Sequence, residues 1–394
     1  MNDNDVVIVG AARTPMGSFQ GALSPVTGTE LGATAIAEAL RRADLPAERV
    51  DEVVMGCVLP AGLRQAPARQ AMRKAGLPDA TGAVTINKVC GSGMKAAMIA
   101  ADAIRAGTND VMVAGGMESM TNAPYLLGGA RSGQRMGHGE MLDSMFTDGL
   151  EDADTGRAMG TFAQDTADAH QITREEMDQF ATTSLERARS AQASGAFDAE
   201  IAPVVVKTRK GETEVSADEQ PGNADPTKIP KLRPAFKADG TVTAANSSSI
   251  SDGAAALVMT RADVAARDSL PVRARIVGHA THSQAPEEFT LAPIGAIDKL
   301  LAKTGWAKED VDLFEINEAF AMVTMLATRE LGLDPEKVNV NGGACALGHP
   351  IGASGARILV TLLHALEARG GTRGIAALCI GGGEATAVAI ERVA

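Results

Sequence analysis

Two cysteines and one histidine stand in contexts that make sense only together: Val89-Cys90-Gly-Ser-Gly-Met94, Gly348-His349-Pro-Ile-Gly-Ala-Ser-Gly355 and Cys379-Ile-Gly-Gly-Gly383. Each lies in a glycine-rich turn beside an apolar run, where a side chain is held at the end of a strand or helix and backbone can approach a substrate closely. Two thiols and an imidazole can divide the work, one sulfur as nucleophile and the other as acid or base. That division points to carbon–carbon bond chemistry on a thioester.

Cys90 precedes a helix pattern rich in Ala and Met. A cysteine there faces the positive end of the helix dipole, which is expected to lower its pKa, and its N–H can stabilise an oxyanion. The commoner use of a cysteine is inert burial; the flanking glycines favour chemistry. Of the six histidines (His138, His170, His279, His282, His349, His364), only His349 sits in a rigid Gly-His-Pro turn, and the others read as surface or packing residues. Cys379 ends the apolar run from Gly374, so a strand delivers it to a sheet edge, where α/β folds place ligands. The glycines after it offer a free N–H, but the run lacks the Gly-Lys-Ser/Thr of a phosphate loop. In Glu315-Ile-Asn317-Glu318-Ala-Phe320, Asn317 is either a helix N-cap or an amide that fixes a catalytic water.

These residues need elements to hold them. Residues 5–9 read as a buried strand ending in Gly10. Residues 29–43 read as a helix with Leu31, Ala35, Ile36 and Leu40 on one stripe, and 51–59 as another strand. The alternation implies a mostly parallel sheet covered on both faces. An internal repeat is more informative. From Thr85 and again from Asn339 the chain runs strand, Gly/Ser turn, helix, Gly-Thr break, then an apolar strand ending in glycines. Aligned on Gly107-Thr108 and Gly371-Thr372, Cys90 falls opposite Ser354. Cys90 belongs to one copy, His349 and Cys379 to the other, so a shared site must lie where the copies meet. Between them, residues 121–247 are polar and broken, with helices near 161–170 and 173–194; Thr173 and Glu176 form a capping box. An acidic turn region (211–226) precedes a basic one, Lys228-Ile-Pro-Lys231-Leu-Arg233-Pro-Ala-Phe-Lys237, which is either a phosphate contact or an exposed charged loop.

The bulk numbers exclude several classes. The 394 residues are 45% hydrophobic and 22% charged, an ordinary globular balance with room for two domains. A net charge of −12 and 3% aromatics argue against nucleic acid or an anionic membrane as partner. Four cysteines without a Cys-x-x-Cys make neither a disulfide scaffold nor a zinc site, and no metal is expected. The opening MNDNDVVIVGAART shows no signal peptide or membrane span, so a reduced cytoplasm is the expected setting.

The motifs together resemble the thiolase family over essentially the whole length. The matching segments are Val89–Met94, Gly115-Gly-Met-Glu-Ser-Met120, Leu232-Arg-Pro-Ala-Phe236, Asn317-Glu-Ala-Phe320, Gly348–Gly355 and Cys379–Gly383. The resemblance implies an α/β fold of duplicated domains in five layers (α-β-α-β-α) with an inserted loop domain. It divides the chain into residues 1–120 plus about 248–271, a loop domain at 121–247 for coenzyme A (CoA) binding and tetramer contacts, and 272–394. It implies acetyl-CoA C-acetyltransferase chemistry, the reversible condensation of two acetyl-CoA to acetoacetyl-CoA and CoA. It implies no cofactor beyond CoA and acyl-CoA as substrates.

By the same resemblance, His349 activates Cys90, which carries the acetyl group, and Cys379 takes the α-proton of the second acetyl-CoA. One oxyanion hole comes from His349 and an Asn317-held water, the other from the N–H groups of Cys90 and Gly381. CoA contacts carry over to Leu150, Met159, Lys228, Phe236, Ala244, Ser248, Ala319 and Phe320. Three positions depart from the usual pattern: Ala158 where many members have His, Glu384 after the last glycines, and Phe289 near the acyl pocket, whose bulk favours a short chain. Residues 124–142, with Arg131 and Arg135, resemble the loop that joins short-chain thiolases into homotetramers (dimers of dimers). The rivals are a broader-chain 3-ketoacyl-CoA thiolase of fatty-acid degradation and a catalytically silent acyl-CoA or lipid-binding homologue. A ketoacyl synthase is disfavoured because its second histidine is Asn317 here.

Overall fold

The structure is a computed structural model that describes residues 1–209 and 211–393. Nine strands carry it: β1 (Val6–Arg13), β2 (Glu52–Gly56), β3 (Gly82–Ile86), β4 (Val111–Ser119), β5 (Ser251–Arg261), β6 (Ala274–Ser283), β7 (Leu313–Ile316), β8 (Arg373–Ile380) and β9 (Glu384–Arg392). With the two-residue strand Gly17–Ser18 paired to β5, they form one continuous sheet in the order β7-β8-β9-β6-β1-β5-β4-β2-β3. The main helices are α1 (Gly28–Arg42), α2 (Pro67–Lys74), α3 (Ser92–Arg105), α4 (Met159–Ala169), α5 (Arg174–Ala193), α6 (Ala292–Thr304), α7 (Ala321–Leu331) and α8 (Ser354–Arg369). No helix among the described residues is long and apolar enough to cross a membrane.

Side chains alternate across each strand, and three apolar clusters follow from that. Val7 and Val9 of β1 face Leu31, Ile36 and Met72 of α1 and α2. Val6 and Ile8 face inward, where Met94 and Met98 of α3 and Leu359 and Leu363 of α8 meet Leu378 and Ile390 of the second half. Ile297 and Leu300 of α6 cover Phe314 and Ile375 from outside. Helices, half-sheet, helices, half-sheet, helices: the five layers are the five-layer α/β order.

Two features differ from the sequence reading. Only β2–β3, β2–β4 and β7–β8 pair in parallel, and the other ladders are antiparallel. The reason is connectivity. β8 turns into β9 through Gly381–Gly383, with φ +89° and +86° at Gly382 and Gly383, which makes a hairpin rather than a crossover. β5 enters from the long 121–247 segment rather than from a crossover helix. β1 also continues past Gly10 to Arg13 through a register shift between Ile8 and Gly10.

The repeat holds for its helix and second strand, while residues 339–343 form a turn where a first strand was expected, and its register moves by two. α3 and α8 cross at Gly93 and Gly355; a Cβ on the first would lie 2.8 Å from Ala356 N, and on the second 2.4 Å from Met94 N. The helix starts therefore pair Ser92 with Ser354 and leave Cys90 opposite Gly352. α8 has 16 residues against 14 in α3, so alignment on the distal glycines misplaces the near end.

In the inserted segment, α4 and α5 lie where expected, and Thr173 and Glu176 form the capping box. The acidic stretch is more than a turn. It contains the strand Gly211–Val215 and the fully buried Asp218, which accepts from Arg13 Nη1 and Nη2 at 2.7 and 2.9 Å.

Candidate active site

Cys90 sits on a strained elbow just before α3. Val89 holds φ +46°, an outlier for a β-branched residue. Around it, Val89 N–H donates to Asn87 Oδ1, Lys88 N–H to Ser92 Oγ, and Ser92 Oγ to Val89 O. A fixed elbow aims the thiol at one spot. Burial pushes that thiol up to about 11, against the pull of the Gly381 N–H and its own N–H. The expected downward shift is thus reversed. α3 begins two residues later, and loss of water outweighs the helix dipole and the two amides.

Cys379 is 1% exposed at the end of β8, and its thiol is driven upward by burial and by the neighbouring Cys90 sulfur. The two thiols therefore share one dry site, both protonated at neutral pH. His349 shares that site as a candidate proton acceptor. Ser354 Oγ lies 2.6 Å from His349 Nδ1 and donates its own proton to Pro350 O at 2.9 Å. The hydroxyl can then only accept from the ring, so Nδ1 carries the hydrogen and Nε2 is left as an acceptor. Nε2 is buried with no partner. Burial, with Arg357 nearby, lowers His349 to about 3, so the ring is neutral across the physiological range.

Asn317 is not a helix N-cap: α7 starts at Ala321 after Phe320. It is fully buried, its N–H donates to Ala377 O, and its Oδ1 accepts from Arg357 Nη2 at 3.4 Å. Its Nδ2 has no partner, so a polar guest or a water can be held there.

A 390 Å³ cavity joins these groups and is lined by Cys90, His349, Cys379 and Gly381. Leu150, Met159, Phe236 and Ala244 line it too, as do Ser248, Phe289, Ala319 and Phe320. Its walls are mostly apolar. Phe320 stands edge-on to both Phe236 and Phe289, with ring centroids 6.3 and 6.4 Å apart. Asn317 lies behind this wall rather than on it. Lys228 does not reach this cavity. It is exposed, 3.6 Å from Asp225, and lines a 260 Å³ neighbour that shares Ala244 and Ser249. Of the basic stretch, Lys237 pairs with Asp168 at 2.8 Å. Glu384 is outside the cavity and pairs with Lys88 at 2.6 Å, tying the Cys90 turn to the Cys379 hairpin. A larger groove of 940 Å³ between α5 and α7 holds none of the three chemical residues.

Sequence reasoning missed the residues that hold the site. Glu118, buried at the end of β4, accepts from Val58, Leu59 and Gly352 N–H at 2.9, 3.1 and 2.9 Å, so copy one anchors the His349 loop of copy two. Burial raises it to about 7. Ser354 and Arg357 belong with it. An arginine inside Ala-Arg-Ile-Leu-Val, among buried apolar residues, was the available signal.

Comparison with known proteins agrees with this geometry. The chain matches the family models described as thiolase N-terminal domain over residues 6–263 and thiolase C-terminal domain over 270–392. It is 52% identical to acetyl-CoA acetyltransferase 2 of Arabidopsis thaliana, over 99% of this chain and 98% of that one. It is 51% identical to the cytosolic acetyl-CoA acetyltransferase of Mus musculus, over 98% of each. Among solved structures, the Acat5 thiolase from Ascaris suum in complex with coenzyme A superposes with a TM-score of 0.93 at 41% identity, covering 99% of this chain and 100% of that one.

Proposed function

The chain belongs to the thiolase family of acyltransferases, and from that premise we propose that it is an acetyl-CoA C-acetyltransferase acting through an acetyl-cysteine. His349 Nε2 takes the Cys90 proton as the sulfur attacks the acetyl-CoA carbonyl; the thioester to CoA breaks, and CoA leaves as the thiol with the proton of Cys379, which is left as the thiolate. The Cys379 thiolate then removes the α-proton of a second acetyl-CoA, and the resulting carbanion attacks acetyl-Cys90. The new carbon–carbon bond gives acetoacetyl-CoA and frees the Cys90 sulfur, which recovers its proton from His349. The Gly381 and Cys90 N–H groups stabilise the acyl oxyanion, and His349 with an Asn317-held water stabilises the enolate. Such donors contribute on the order of 3 kcal/mol each.

The observation that carries the reading is one apolar cavity holding two thiols and an imidazole whose acceptor nitrogen is free. A neutral thiol–imidazole pair does not react with water but is poised to transfer its proton when a thioester arrives. CoA and acyl-CoA enter as substrates, and the scheme needs no cofactor. Lys228 reads as a contact for the outer end of CoA, beyond the cavity.

We propose three units, at 1–120 with 248–271, 121–247 and 272–394, the middle one covering the site. We also propose a cytoplasmic homotetramer. The hairpin Tyr125–Leu127/Met141–Asp143 supports assembly, with Tyr125 65% and Met141 69% exposed. The cytosolic mouse relative supports the location. Thiolysis of a 3-ketoacyl-CoA series with free CoA tests the function. Activity confined to acetoacetyl-CoA supports it, strong activity on long chains favours the fatty-acid degrading thiolase, and no activity on any favours the silent binding protein.

A further inference from the structure

We propose that Arg357 is a positioning residue whose guanidinium fixes which way the Asn317 amide faces and thereby presents its Nδ2 donor to the site. The inference rests on the acyl-transfer reading above and assigns a role within it.

Arg357 is fully buried on α8, where residues 354–366 are all buried. A charge at such a position needs close partners. Nη1 donates to Glu315 Oε1 at 3.0 Å, Nη2 to Asn317 Oδ1 at 3.4 Å, and Nε has no partner. A guanidinium donates and never accepts, so the Asn317 atom turned towards it must be the carbonyl oxygen. The amide nitrogen then points away from Arg357, buried and unpartnered. With the Asn317 backbone tied to Ala377, little else decides the flip.

The same helix holds the second polar group. Ser354, three residues earlier and one turn away on the same face, fixes the His349 tautomer. One turn of α8 thus sets both His349 and Asn317, which otherwise arrive on separate loops. The charge matters as well. Arg357 lies near enough to disfavour a proton on His349, together with burial. Facing it are Glu315 from β7 and Glu318 from the turn after it, with Glu200 beyond Glu315. His349 also lines the cavity that holds the two thiols.

The test compares Arg357→Lys with the double variant Arg357→Met/Glu315→Leu, which replaces the buried ion pair by apolar groups and so avoids an unpaired carboxylate. Circular-dichroism melting reports folding, and acetoacetyl-CoA thiolysis reports kcat, KM and the pH profile. The inference expects a folded double variant with kcat about 10²-fold lower, as for one lost oxyanion donor, and KM little changed. Its acid limb moves to higher pH, because removing a cation lets His349 protonate more readily. Arg357→Lys keeps the charge but not the fork, so kcat falls while the acid limb stays. A double variant with wild-type kcat and pH profile overturns the inference. So does one in which activity falls only in step with melting, with no shift of the limb. Failure of the wild type to turn over acetoacetyl-CoA is a different result and refutes the acyl-transfer reading instead.

Discussion

Phe289→Ala should open the acyl end of the cavity and lengthen the accepted chain. Phe289 is 3% exposed, lines the cavity with both thiols, and braces Phe320 edge-on. Truncating a buried phenylalanine costs about 3–5 kcal/mol of stability, so assays belong well below the variant's own melting midpoint. The gain in selectivity follows from area. Each methylene newly buried contributes about 0.8 kcal/mol, a factor of about four, so two methylenes give about fifteenfold. The assay is the ratio of kcat/KM for thiolysis of 3-ketohexanoyl-CoA over acetoacetyl-CoA, in wild type and variant. A rise near that size places Phe289 at the acyl end. A ratio unchanged within about twofold, in protein that still melts cooperatively, would refute the pocket reasoning, because the freed volume would then lie elsewhere.

Three further outcomes are expected. Val89→Gly relieves a left-handed outlier worth about 1–3 kcal/mol, so melting should hold or rise while Cys90 acetylation slows about tenfold as the elbow loosens; unchanged acetylation would mean the strain has no function. The Cys90 thiol, raised to about 11, should be alkylated by iodoacetamide about tenfold faster for each pH unit from 7 to 9, since the thiolate fraction rises in proportion; a plateau below pH 8 would contradict the desolvated site. Asn317→Ala should lower the kcat of condensation by about 10²–10³, as for other lost oxyanion donors, and a wild-type rate would remove Asn317 from the site.

That three residues meet was more legible than the architecture. Cys90, His349 and Cys379 stand out by the glycines around them, the repeat puts their meeting place between two copies, and one cavity holds all three. Strand direction was not legible. Apolar runs such as 251–261 look alike in parallel and antiparallel ladders, and the turn Gly381–Gly383 reads equally as a ligand loop or a hairpin. The thiol's electrostatics are not legible in sequence because dipole and desolvation oppose each other, and only the fold says how deeply the sulfur is buried. That Lys228 stands beside Asp225, in the neighbouring cavity and not in the one with the thiols, could not be read from its charge. The supports Glu118 and Arg357 act across long separations: Glu118 reaches Gly352 over 234 residues, and Arg357 reaches Glu315 over 42. No local pattern encodes such pairs.

The most direct test of the account is to follow acetyl transfer from labelled acetyl-CoA and locate the label by peptide mass spectrometry in wild type, Cys90→Ala and Cys379→Ala. The account predicts label on Cys90 in the wild type and in Cys379→Ala, none in Cys90→Ala, and acetoacetyl-CoA formed by the wild type alone. Label retained at the site in Cys90→Ala, or lost equally in Cys379→Ala, would contradict the division of labour between the two sulfurs.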